Sequence, residues 1–155
     1  MNDFTRERVR MGMVVGGSTS RGVEVRLDSS FPVEAVQVGG FVTIEGHERR
    51  FFGIVSDVAL ETSDAAVRAS PPEATDPFVQ SVLSGTGAYA IVNVVPQQTL
   101  ETDAFSLVEG PQQARSIPGH FAQVFQASEE DVKAVFGSED DRRIWVGSPL
   151  DMEDV

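Results

Sequence analysis

At 155 residues, with 41% hydrophobic and 23% charged side chains, the chain has the size and polarity of one globular domain with its own core, which excludes a wholly disordered polypeptide. It has no run of about 18 apolar residues, so no helix spans a bilayer, and Met1-Asn2-Asp3-Phe4-Thr5-Arg6 does not begin a signal peptide. A net charge of −12 argues for weak or no direct nucleic-acid binding, and the lack of cysteine removes disulfides, thiolate metal sites and a cysteine nucleophile, in keeping with a cytoplasmic protein.

Residues 1–7 read as a flexible amino terminus. Val9 to Gly16 then forms a strand with Met11, Met13 and Val15 on one side, broken by Gly16-Gly17-Ser18-Thr19-Ser20. Val23, Val25 and Leu27 alternate with Glu24, Arg26 and Asp28, the period of a strand with one wet face. Phe31-Pro32 interrupts, and Gly39-Gly40 turns the chain into a strand over residues 41–45. Gly46-His47-Glu48 is a tight hairpin connection into a strand over 50–55, where Gly53 predicts a bulge or barrel corner.

Residues 61–75 lapse into Ala, Ser, Asp and Pro, an insertion with a short helical turn near residues 65–69. A helix follows: Asp76 caps it, Pro77 suits its first position, Phe78 with Val82 and Val79 with Leu83 are four apart, and Gly85 ends it. Residues 88–95 form an apolar strand closed by Pro96, and a weaker strand lies around 105–108. Ile117-Pro118-Gly119-His120 turns into a strand over 121–125. Ser128-Glu129-Glu130-Asp131 reads as a capping box opening a helix with Val132, Val135 and Phe136, stopped by Gly137. A last strand over 143–147 follows.

Short strands with Gly-rich turns predict a mainly β fold, a small closed or partly closed barrel with two short helices that fill or cap it. The barrel domain runs over residues 8–147, with helical insertions near 61–85 and 128–137, and residues 148–155 read as a linker.

No catalytic, cofactor-binding or metal-ligating residue stands out. The Gly16-Gly17 stretch has no following Lys-Ser or Lys-Thr with which to hold phosphates, and reads as a hairpin turn. His47 and His120 sit in turns without a ligand pattern around them. The acids Glu129, Glu130 and Asp131 suit the first turn of a helix, and Glu139, Asp140 and Asp141 lack the spacing of a calcium loop. Trp145, Tyr89, Phe51 and Phe52 read as core; any one of them exposed would mark a protein interface.

Three stretches together resemble the amino-terminal barrel, the HAS barrel, of HerA-like hexameric ATPases: residues 9–15; residues 36–44 with 52–55; and Ile117-Pro118-Gly119 through Gly137 to residues 144–150. The resemblance covers about residues 8–150. It implies a barrel shared in architecture with rotary ATP synthase subunits, forming a collar on a hexameric DNA translocase and docking a partner nuclease of the NurA kind in end processing. ATP and Mg would belong to an ATPase core lying beyond the linker, so the resemblance brings no catalytic or nucleotide-binding residue to any position here.

The expected function is therefore non-catalytic: hexamer assembly and docking of a partner protein. A free-standing β-barrel interaction module and a small enzyme built on His47, His120 and scattered carboxylates are the alternatives. The isolated chain is expected to be a monomer or weak oligomer.

Overall fold

A computed structural model describes residues 8–71, 76–79, 82, 87–101 and 110–137. Seven strands are present among them: β1 (Arg10–Ser18), β2 (Gly22–Leu27), β3 (Phe41–Glu45), β4 (Arg49–Thr62), β5 (Ala88–Glu101), β6 (Gln112–Gln113) and β7 (Gln123–Gln126). Helix α1 spans Ala65–Ala69 and helix α2 spans Glu129–Phe136.

The strands run β2-β1-β7-β3-β4-β5, and β5 pairs back onto β2, closing a six-stranded antiparallel barrel. The closing register sets Val23 opposite Val94 and Val25 opposite Val92. Strand β6 pairs only with β5, at Gln98 and Thr99, beyond the reach of β2. The interior is filled by Val14, Val23, Val25, Val42, Ile44, Phe51, Val92, Val94 and Val124, each 3% exposed or less. These β-branched and aromatic side chains fit the narrow interior of a barrel this small.

The β3–β4 hairpin lies where its turn signal put it, whereas β1 runs on through Gly16 and Gly17 to Ser18, past the expected break. Ser18 pairs with Gly22 across the β1–β2 turn, and the Gly46 N–H donates to the Arg49 carbonyl at 3.0 Å to close the β3–β4 hairpin. The period-two stretch of β2 is buried as expected at Val23, Val25 and Leu27. The expected irregularity at Gly53 is a register shift between Phe52 and Gly53. An added Cβ there would meet Val94 Cγ1 at 2.7 Å, so the corner depends on a missing side chain.

Several expectations are corrected. Met11, Met13 and Val15 do not share a face. Arg10 pairs with Phe125 and Gly12 with Val124, which leaves Met11 as the extra residue of a bulge, so Met11 and Val14, three apart, both enter the core. Pro96 does not end its strand: β5 continues to Glu101, because Pro96 lies opposite Gly53 in the irregular stretch of the ladder, where a missing N–H is tolerated. Strand β4 runs on to Thr62, so the insertion begins at Ser63. Strand β7 begins at Gln123 rather than at residue 121, and β6 was not foreseen.

Helix α1 falls on the expected turn and is capped by Asp64, whose carboxylate accepts from the Ala66 N–H at 2.8 Å. The next helix begins as expected, with the Phe78 N–H donating to Asp76 Oδ1 at 2.9 Å. Leu83, Gly85, the strands expected around 105–108 and 143–147, the second acidic cluster, Trp145, and the terminal segments 1–7 and 148–155 lie outside the described residues.

Candidate interaction surface

Helix α2 neither plugs nor caps the barrel; it lies against the outer wall. On β3, Val42 and Ile44 point into the core, so Phe41, Thr43 and Glu45 face outward. On β4, Phe51 points inward while Arg50 and Phe52 face outward. Phe52 is nevertheless 1% exposed, between the rings of Phe41 and Phe136, and Thr43 is fully buried. The Phe136 ring lies 5.7 Å from that of Phe41 and 5.8 Å from that of Phe52, centroid to centroid.

The first turn of α2 is held by charge. The capping box predicted from Ser128 and Asp131 is present: the Asp131 N–H donates to Ser128 Oγ at 3.2 Å, and Asp131 Oδ2 accepts from the Ser128 N–H at 2.9 Å. The other carboxylate oxygen of Asp131 accepts from Arg8 and, at 3.4 Å, from Arg50 Nη1. Both arginines also reach Glu45 Oε1, at 2.6 and 2.9 Å. Asp131 is 3% exposed, so two guanidiniums and two N-cap bonds offset its desolvation. Sequence reasoning gave this aspartate the capping box and the helix dipole, but not the two arginines. The four-residue cluster joins positions as far apart as 8 and 131, a proximity that no local pattern encodes.

The predicted chemical candidates do not converge. His47 and His120 are both exposed, in the β3–β4 hairpin and in the turn before β7. Among the described residues no group of three His, Asp or Glu is placed to hold a metal ion, and no helix is long and apolar enough to cross a membrane. Gly17 lines an open depression of about 340 Å³ with Arg21, Glu24 and Asp57, a mixed-charge rim rather than a phosphate cradle. A second depression, of about 440 Å³, lies beside β6.

What the surface offers instead is apolar. Phe51 and Phe52 are buried and Tyr89 is half-buried, with the Arg26 guanidinium 4.4 Å above its ring. The exposed aromatics are others: Phe78 is 75% exposed, Phe121 71% and Phe136, at the end of α2, 54%, and Leu60 near the end of β4 is also 75% exposed. Phe121 is the one described non-glycine residue with positive φ, at 65°. The turn signal at Pro118-Gly119 could have located it, but not its exposure. Large apolar groups held out in water mark surfaces that meet other proteins.

The family model of the HAS barrel domain matches residues 11–103, more than half of the chain. That stretch contributes five of the six barrel strands, and β7, from outside it, supplies the last. No curated protein matches the chain. With the strands closed on one another and the matched stretch coinciding with the barrel wall, the chain belongs to the HAS-barrel domain family.

Proposed function

We propose that this chain is the non-catalytic amino-terminal barrel of a HerA-like hexameric ATPase, serving hexamer assembly and docking of a partner protein, a nuclease of the NurA kind, in cytoplasmic DNA translocation and end processing. ATP and Mg act in the motor core and not in the barrel. The observation that carries the reading is family membership joined to the shape of the wall: a closed barrel with no free sheet edge on its six staves, and exposed apolar groups at Leu60, Phe78 and Phe121. The net charge of −12 supports contact with a basic protein surface and leaves DNA to the motor. Helix α2 is held to the wall at Asp131 and Phe136.

Native mass spectrometry of the intact gene product tests the reading. A hexamer that binds ATP, and that loses its ring when the barrel is deleted, supports it. A product that stays monomeric and binds no nucleotide contradicts it and favours a free-standing interaction module.

A further inference from the structure

The depression beside β6 lies where the hairpin into β4 and the short strand β6 meet at one end of the barrel. It is lined by Arg49, Thr99, Gln112, Gln113, Arg115 and Ser116. Arg49 opens β4 two residues before Phe51, so it shares the inward face and stands at the barrel mouth. Thr99, opposite Phe51 and 6% exposed, forms the floor. Strand β6 pairs Gln112 with Thr99, and the Ala114 N–H donates to the Gln97 carbonyl at 2.9 Å, which carries Arg115 to the same rim.

Two arginines that no carboxylate pairs share this rim, whereas Arg68, also without an ion pair among the described residues, stands alone on α1. Arg8, Arg10 and Arg50 are ion-paired, Arg26 covers Tyr89, and Arg21 bonds to Ser18. Among the described residues no carboxylate pairs with Arg49 or Arg115, in a chain with twice as many acids as bases. Glu48 precedes Arg49 and Glu101 lies opposite it in the β4–β5 ladder, and more distant acids are screened beyond about 8 Å at physiological salt, so the two guanidiniums act here through direct hydrogen bonds rather than a long-range field. Guanidiniums offer forked N–H donors matched to the oxygens of phosphate and carboxylate, and the Gln113 amide and Ser116 hydroxyl add neutral donors.

We infer that the Arg49–Arg115 depression is a binding site for an oxoanion, a phosphate or carboxylate group, at the mouth of the barrel. The inference goes beyond the assembly role and does not depend on it. The test is calorimetric titration of the 155-residue chain with pyrophosphate and, separately, with citrate. Saturable binding of either, with Kd on the order of 1 mM or tighter, weakened by salt and about tenfold weaker in R49Q/R115Q, supports the site. Arg21→Gln, on the other depression, leaves that affinity unchanged. Preference for pyrophosphate assigns a phosphate ligand; preference for citrate assigns a carboxylate. Circular dichroism checks that the double variant folds, and Arg115→Gln alone serves if it does not. No saturable binding of either anion up to about 10 mM, or equal binding by folded variant and parent, overturns the inference.

Discussion

Asp131, in the first turn of α2, accepts hydrogen bonds from Arg50 of β4 and Arg8 ahead of β1, so one buried carboxylate ties the last described helix to two strands far apart in sequence. Removing it does two kinds of damage. Asp131→Ala deletes half of the capping box and leaves two partly buried guanidiniums with Glu45 alone. The expected loss is about 2 kcal/mol, less than for a fully buried pair because the arginines are about a quarter exposed. Urea unfolding measures it, and amide exchange in residues 129–136 should speed up more than in β2.

Thr43 carries the opposite expectation. Its side chain is fully buried and its hydroxyl has no hydrogen-bond partner among the described residues. Thr43→Val keeps the shape and removes the desolvated oxygen, so it should raise stability by about 1 kcal/mol. A lower Tm would show that the hydroxyl has a partner in solution.

Gly53→Ala places a methyl 2.7 Å from Val94 Cγ1 and 3.1 Å from the Val95 carbonyl. Val94 also pairs with Val23 at the closure, so the strain falls on β5 where two ladders meet. A cost of about 2 kcal/mol is expected, read as a lower urea midpoint with an unchanged slope.

Phe121 holds φ at 65° while its ring sits in water. A β-branched residue tolerates that backbone worse, and glycine adopts it freely. Phe121→Val should lower stability by about 1 kcal/mol and Phe121→Gly should leave it within about 0.5 kcal/mol. Both should weaken capture of any partner that docks on the ring, separating its surface role from its backbone cost.

Local patterns made much of the barrel legible. Alternation in β2, the turns at Gly39-Gly40 and Gly46-His47-Glu48, the Gly53 corner and the Ser128–Asp131 box each depend on residues close in sequence, and each stands in the fold. What escaped depends on distant residues. Bulging at Met11 is fixed by β7, more than a hundred residues on, and the passage of β5 through Pro96 by its partner Gly53. Phe51 and Phe52 look alike in sequence, yet one fills the barrel and the other is buried outside it, between Phe41 and Phe136 of α2. The Asp131 cluster and the Arg49–Arg115 rim likewise exist only after closure.

Closure of the wall between β2 and β5 is the relationship on which the family assignment and the surface reading both rest. Scalar couplings across hydrogen bonds, measured by NMR on the labelled chain, test it directly. A closed barrel gives couplings and slow amide exchange along the 23–26 and 91–94 ladder, with cross-strand contacts between Val25 and Val92. Fast exchange along the β5-facing side of β2, with no contacts to residues 91–94, would mean an open sheet and would contradict it.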